Sequence, residues 1–418
     1  MHHFQLRNGE LHAEGVPLRE IATRVGTPCY VYSLATLQRH YRVFEEAFAS
    51  VPHLICFSVK ANSNLAVLRT FAREGSGFDI VSGGELFRAL RAGADPGKIV
   101  FSGVGKTREE IVSALRAGIL MFNVESPGEL DTINSAAGAV GVKARVALRV
   151  NPDVDPKTHP YISTGLKQSK FGIHTQRSIE DYRRARQLPH IEVVGVDCHI
   201  GSQLTTVPPF VDALSRIRSL VERLHQEAFQ IRYLDMGGGL GITYNDEQPP
   251  EPREYAAAVA EGLRGLDATL VLEPGRVIVG NAGILLTRVL YLKGTDEKNF
   301  VVVDGGMNYL IRPALYGSFQ GIQPVMPREG AKITADVVGP VCESGDFFAK
   351  DREIPPVAAG DLLAVMSTGA YGFVMASNYN TRPRPPEVMV DGDSFYVIRE
   401  RETLDDLVRG ESIPAILQ

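Results

Sequence analysis

The chain repeats one unit many times: a short β-branched apolar run, a polar or glycine-rich junction, then a helical stretch. Such runs cover residues 54–58, 78–81, 99–102, 120–124, 145–150, 191–198, 231–236 and 269–273. Amphipathic stretches at 65–74 and 84–92 lie between early pairs. Ser126-Pro127-Gly128-Glu129 reads as a capping box that opens a helix directly after the fourth run. Strict alternation of strand and helix requires a parallel sheet, and eight repeats over roughly 220 residues suggest a closed barrel. The expected fold class is α/β, a (β/α)8 TIM-type barrel over residues 26–278.

One interval breaks the rhythm. Between the fifth and sixth runs lies NPDVDPKTHPYISTGLKQSKFGIH, polar and rich in turn formers. Barrel enzymes carry such insertions at the catalytic mouth, where a lid is expected. After about residue 278 the texture changes. GILLTRVLYLKG, NFVVVDGG, ITADVVGP, DLLAVMSTG and EVMVDGDSFYVI read as strands parted by Gly, Pro and Asp turns, with a hairpin signal at Asp391-Gly392. Residues 279–418 are therefore expected to form a second, mostly-β domain, a barrel or sandwich. Residues 1–25, with a hairpin signal at Asn8-Gly9, are expected to pack with it.

The 418 residues suit two domains, and 44% hydrophobic with 22% charged residues suits folded ones. Lys and Arg number 44 against 49 Asp and Glu, and no basic tract stands out, which disfavours a nucleic-acid partner and leaves a small molecule. Cys29, Cys56, Cys198 and Cys342 lack CxxC or metal-finger spacing, so neither a disulfide framework nor a metal site is expected. The N-terminus has no apolar signal-type core, and nowhere do about 18 apolar residues run together. A cytoplasmic protein with no membrane partner is the expectation.

Polar clusters fall just after the barrel runs, where barrel enzymes keep their catalytic groups. Lys60 ends the first run in CFSVKANSN. It is either a snorkelling surface lysine or an amine held in a dry mouth, where burial favours the neutral form that makes Schiff bases. The seventh run ends in Asp235-Met236-Gly237-Gly238-Gly239-Leu240-Gly241. Its glycines let backbone amides approach an anion, and the junctions after strands 7 and 8 are the recurrent phosphate site of barrels. A tight turn is the competing explanation. Glu273 and Arg276 would emerge beside that loop, and His199 ends the sixth run in CHIGSQ. A rim ion pair and a structural histidine are the bland alternatives. In the β domain, Cys342-Glu343-Ser344-Gly345-Asp346 concentrates a thiol and two acids, and Thr368-Gly369-Ala370-Tyr371-Gly372 is a second glycine-rich junction.

Read together, these clusters resemble the alanine-racemase-fold decarboxylases that use pyridoxal 5'-phosphate, most closely their diaminopimelate branch. The resemblance runs through nine motifs in order: VKAN at 59–62, FDIVSGGE at 78–85, HPYISTGLKQSKFGI at 159–173, HIGSQ at 199–203, GGGLG at 237–241, EPGR at 273–276, RPALYG at 312–317, CESGD at 342–346 and GAYG at 369–372. It implies that Lys60 carries the cofactor as a Schiff base, that His199 stacks on the pyridine ring, and that Asp79 orients Lys60 or His199. Ser202, Gly239, Gly241, Gly275, the Arg276 amide and Tyr371 would gather round the phosphate. Glu273 would face the pyridine nitrogen and keep it protonated, where racemases of this fold set an arginine; a glutamate favours decarboxylation. Cys342 would deliver a proton to the substrate carbon, and the resemblance places its CESGD segment in the active site of the neighbouring subunit of a homodimer.

The implied substrate is meso-2,6-diaminopimelate, decarboxylated at its D centre to L-lysine. Arg276, Arg312 and Tyr316 suit its distal carboxylate, with Tyr371 near the substrate, and Glu343 suits its distal amine. The other readings are a decarboxylase of the same fold for a related diamino acid or carboxy-polyamine, and a non-catalytic binding relative. Met307-Asn308-Tyr309 stands where family members often carry Met-Asn-Asp, and Phe319-Gln320 replaces a common Tyr-His. Both departures bear on fine specificity.

Overall fold

The computed structural model describes residues 2–154 and 170–417. The chain divides into two compact units, Gln38–Val279 and Met1–Leu37 with Gly280–Gln418. In the first, eight parallel strands pair in sequence order: β1 (His53–Ser58), β2 (Gly77–Ile80), β3 (Ile99–Phe101), β4 (Met121–Val124), β5 (Ala144–Asn151), β6 (Ile191–Asp197), β7 (Tyr233–Asp235) and β8 (Thr269–Leu272). β8 pairs back onto β1 with Leu270 opposite His53, so the sheet closes into the (β/α)8 barrel. Helices such as Leu65–Arg73, Gly83–Arg91, Arg108–Ala117 and Pro208–Gln226 connect the strands.

Local chemistry sets where these helices begin. Thr107 accepts from the Glu110 amide while Glu110 reaches back to the Thr107 amide, a complete capping box. The box read at 126–129 is only half present. Ser126 accepts from the Glu129 amide at 3.3 Å, but the Glu129 carboxylate is drawn to the Glu125 amide at 2.9 Å and to Lys106 at 2.7 Å. A nearby ammonium outcompetes the cap amide.

Alternation along each strand builds the barrel interior in layers. Cys56, Val100, Met121, Ala147 and Val271 belong to one buried apolar cluster. Two residues further along the same strands come Ser58, Ser102, Asn123, Arg149 and Glu273, all buried. Asp79 on β2, Asp197 on β6 and Asp235 on β7 are buried as well. Five strands thus set an apolar residue below and a polar residue at or just past the C-terminal end, while on β2 and β6 a glycine, Gly77 or Gly195, stands two residues before the aspartate.

The insertion after β5 falls largely on residues 155–169, outside the described residues, as does most of the lid-like motif. Its far end returns as Ile173–His174, paired parallel to Val150 and Asn151.

The second unit is a mostly-β body. Its main sheet runs Phe347–Ile354, Ile333–Val338, Asn299–Val303, Gly283–Gly294, Cys29–Ser33, Glu387–Asp391, Ser394–Arg399. The sequence reading starts the barrel at residue 26, but Cys29–Ser33, buried throughout, is hydrogen-bonded between Gly283–Gly294 and Glu387–Asp391. Phe4–Arg7 and Glu10–Ala13 form the N-terminal hairpin, with Asn8 and Gly9 both at positive φ, as a two-residue hairpin turn requires. Phe4, Leu11, Val16 and Ile21 join Val31, Ile284, Leu286 and Val388 in this unit's core. Among the described residues no helix is long and apolar enough to cross a membrane.

Candidate active site

The polar layer of the barrel holds most of the residues singled out from sequence. The chain leaves β1 through a 3-10 turn, Val59–Ala61, which carries Lys60 up to the rim while Val59 and Ala61 stay buried. Lys60 Nζ lies 2.5 Å from Asp79 Oδ2, and the same oxygen accepts from Ser58 Oγ at 2.8 Å. The lysine is partly exposed and the aspartate fully buried. An amine directed by a buried carboxylate at a barrel mouth is equipped to attack a carbonyl carbon.

Glu273 stands at the end of β8. Its Oε1 accepts from Ser102 Oγ at 3.1 Å and from Asn123 Nδ2 at 3.3 Å. The Asn123 amide also donates to Asp235 Oδ2 at 2.9 Å, while Asp235 Oδ1 accepts from the Gly237 amide at 2.9 Å. Burial, with the negative charge of Asp79, pushes the Glu273 carboxyl up to about 7, against the pull of Lys60 and Arg149. Burial pushes Asp235 well above the ordinary carboxylate range, and Glu273 and Asp197 add to it.

His199 follows β6. Its Nδ1 accepts from the Gly238 amide at 3.1 Å, which places the proton of the neutral ring on Nε2. Burial holds the imidazole well below its usual value, and the charges of Arg149 and Lys60 act in the same direction. A neutral, flat ring fixed through one nitrogen is suited to stacking.

The loops after β6 and β7 are zipped together. Leu204 N–H donates to Gly239 O at 2.9 Å and Gly241 N–H to Leu204 O at 2.9 Å. Gln203 closes the end, donating to Ile242 O at 2.6 Å and accepting from the Ile242 amide at 3.1 Å. Gly239 takes a φ of +119°, and a Cβ there would sit 2.6 Å from Gly201 O. At Gly275 a Cβ would press on Ala61 Cβ at 2.9 Å, just beside Lys60. Only glycine permits these two close approaches, one between the loops after β6 and β7 and one between the loops after β8 and β1. The Arg276 guanidinium spans the cradle, donating to Ser202 Oγ at 3.0 Å and to Tyr244 Oη at 2.6 Å.

The remaining candidates lie in the β unit. Arg312 is buried and opens the helix Arg312–Tyr316, its guanidinium 5.6 Å from the Tyr316 ring centre. Cys342 and Glu343 are exposed on a turn whose form is set by Asp346, which accepts from the amides of Met307 and Val341, both at 2.6 Å. The Cys342 amide donates to Asn380 Oδ1 at 2.8 Å. Tyr371 sits at a φ of +55°. Of the two departures from the family pattern, Tyr309 is buried with its carbonyl accepting from Tyr30 Oη at 2.7 Å. Gln320 is fully buried.

Sequence reasoning missed Ser58, Ser102, Asn123, Arg149, Asp197 and Tyr244. The first five could have been found by one signal, a polar residue closing an apolar run at the strand's inward parity. Tyr244 lies in an irregular loop and had no such signal.

A lysine at the mouth, a carboxylate pushed up among buried donors, a neutral histidine and a glycine cradle for an anion fit pyridoxal phosphate in each of its parts: aldehyde, ring nitrogen, ring face and phosphate. Fold and site thus define a pyridoxal-phosphate enzyme of the barrel type. The family described as pyridoxal-dependent decarboxylase, pyridoxal binding domain, matches residues 34–280. A diaminopimelate decarboxylase of Pseudomonas aeruginosa is 58% identical over 98% of this chain and 99% of that protein, and one from Vibrio cholerae is 57% identical over 97% of each. Among solved structures, the diaminopimelate decarboxylase from Helicobacter pylori complexed with L-lysine matches with a TM-score of 0.91 and 44% identity, covering 94% of this chain and 98% of that one. The enzyme from M. jannaschii in co-complex with L-lysine matches with a TM-score of 0.95 and 39% identity over 99% of each chain. The chain belongs to the pyridoxal-dependent decarboxylase family, in its diaminopimelate decarboxylase branch.

Proposed function

We propose that the protein decarboxylates meso-2,6-diaminopimelate at its D centre, giving L-lysine and CO2. The observation that carries this reading is Glu273, a buried carboxylate held by Ser102 and Asn123 in the same polar layer as the Lys60–Asp79 pair. Bound pyridoxal phosphate supplies the electron sink for the pair left behind when CO2 departs. Lys60 would hold the cofactor through Nζ until a substrate amine takes its place, with Asp79 keeping the nitrogen oriented. Glu273 holds a proton at the ring nitrogen, and His199 packs on the ring face. Ser202, Gly239, Gly241, Gly275, the Arg276 amide and Tyr371 take the phosphate.

The substrate's far end carries both charges, which the chemistry of the remaining residues matches. Arg276 and Arg312, with Tyr316, suit the distal carboxylate, since guanidinium grips a carboxylate at two points, and Glu343 suits the distal ammonium. Tyr371 completes the substrate contacts. Cys342, exposed and therefore able to reach another chain, delivers a proton to the substrate carbon. In this reading the CESGD turn serves the neighbouring subunit of a homodimer. All four cysteines are free, in keeping with work in the reducing cytoplasm.

Borohydride treatment of the yellow protein tests the cofactor assignment. It should fix the cofactor on the peptide containing Lys60, and a colourless protein that cannot be reconstituted would remove the basis of the proposal.

A further inference from the structure

The polar layer holds more negative charge than the cations beside it can match. Five acids face the interior at or just beyond the strand ends, Asp79, Glu125, Asp197, Asp235 and Glu273, and all are buried. Two cations accompany them among the described residues. Lys60 is taken by Asp79 at 2.5 Å, and Arg149 by Glu125 at 2.8 Å. Asp197, Asp235 and Glu273 remain.

Strand register makes neighbours of two of these. Arg149 on β5 is the register partner of Asp197 on β6, and Asp197 is the partner of Asp235 on β7. Register partners in a parallel sheet present their side chains to the same face. Two carboxyls packed side by side away from water cannot both ionise cheaply, so a proton must reside among them. Hydrogen bonding decides where. Asp235 accepts from Asn123 and the Gly237 amide, and Glu273 accepts from Ser102 and Asn123. Asp197 has no such support: its Oδ1 is buried with no hydrogen-bond partner among the described residues, and Arg149 Nε comes only to 4.0 Å of Oδ2. Tyr182, on the helix packed outside β6, gives its hydroxyl to Gly195 O at 2.9 Å. Cys198, next in the chain, turns its thiol to Met236. Burial drives the Asp197 carboxyl well above its ordinary range; Glu273, Glu125 and Asp79 add to this and Arg149 opposes it.

We propose that Asp197 is held as the neutral acid, a positioning residue whose retained proton leaves Glu273 to carry the ionised carboxylate directed at the cofactor's ring nitrogen. The purpose rests on the decarboxylase reading, but the protonation state does not. An ionised Asp197 would add a third unmatched negative charge, raise the proton affinity of Glu273 further, and turn a carboxylate into a neutral acid at the position where charge is needed.

Infrared spectroscopy of the cofactor-free protein tests this directly. At about pH 8.5, where the Glu273 carboxyl, raised to about 7, has ionised, the wild type should still show a protonated-carboxyl C=O stretch, and that band should disappear in Asp197→Asn. The band should survive in Asp235→Asn. Because an amide replaces a neutral acid of the same shape, Asp197→Asn should also change cofactor affinity by less than about threefold. A wild type without the band, or a band unchanged in Asp197→Asn, overturns the proposal. If Asp197→Asn does not fold, Asp235→Asn labelled with 13C at aspartate carboxyls decides: the band must remain and shift with the label, and a band that is lost or does not shift counts against the proposal. None of these readings depends on turnover, so their failure would leave the assigned reaction standing, and an inactive enzyme that shows the band would contradict only the reaction.

Discussion

Lys60 Nζ and Asp79 Oδ2 are 2.5 Å apart, and the aspartate that holds this amine is fully buried while the amine is not. Asp79 therefore acts as a fixed anchor from which Lys60 reaches outward. Asp79→Asn keeps the shape but removes the charge-assisted bond, leaving the Ser58 hydroxyl and the Lys60 amine with a neutral partner. We expect kcat/KM to fall at least about tenfold, the equivalent of roughly 1.4 kcal/mol, because bonds to ionised groups carry about that much. Steady-state kinetics on the variant checks it. Lys60→Ala should abolish turnover altogether.

Glu273 gives a pH prediction with a definite sign. Its carboxyl is raised from 4.5 to about 7 in the folded chain, chiefly by burial. The folded state therefore holds this proton more tightly than the unfolded one. Ionising Glu273 costs stability that is absent below the unfolded value and fully expressed above about pH 7. Glu273→Gln should be more stable than the parent by roughly 3 kcal/mol at about pH 8 and by much less at about pH 4.5, with decarboxylation lost at both. Denaturant titrations of the cofactor-free proteins at the two pH values measure the difference. A gain that does not change with pH would contradict the assignment.

The glycine cradle predicts a binding defect without a chemical one. At Gly239 a Cβ would lie 2.6 Å from Gly201 O, on a backbone with a φ of +119°. Gly239→Ala must push apart the loops after β6 and β7, so cofactor affinity should fall by about tenfold or more, for strain of 1–3 kcal/mol at such a position. Equilibrium titration with pyridoxal phosphate reads this out. A control substitution at Gly128, where a Cβ meets nothing within 4 Å, should leave affinity unchanged.

Much of this arrangement was legible in the sequence because a parallel barrel is written locally. A buried strand must be apolar, its C-terminal end is where polarity returns, and His199, Lys60 and Glu273 stand at those ends. The polar layer as a whole was not legible. Asn123 and Asp197 each stand near the end of an apolar run, where a solvent-facing polar residue would look the same, and only closure of β8 onto β1 shows that such residues face one another. The half-formed cap at Ser126 was misread for a similar reason: Lys106, twenty residues away, claims the Glu129 carboxylate. The strand Cys29–Ser33 falls inside the stretch that the sequence reading gives to the barrel, because its partners, Gly283–Gly294 and Glu387–Asp391, lie more than 240 residues downstream. Pairing across such distances leaves no trace in local composition.

If the CESGD turn serves a neighbouring subunit, two inactive variants should rescue each other. Lys60→Ala and Cys342→Ala chains, mixed and allowed to exchange, would form dimers with one intact site. Random pairing in a two-fold assembly should restore about a quarter of wild-type turnover. No recovery, with exchange demonstrated independently, would place Cys342 in its own chain's site or outside any site.

The assigned reaction is tested most directly by measuring CO2 released from meso-diaminopimelate, L-lysine, L-ornithine and L-arginine by the wild type and by Arg312→Ala. The account predicts release from meso-diaminopimelate alone, with L-lysine as product, and a large rise in KM when Arg312 is removed. Equal or faster release from ornithine or arginine, or diaminopimelate turnover untouched in Arg312→Ala, would contradict it.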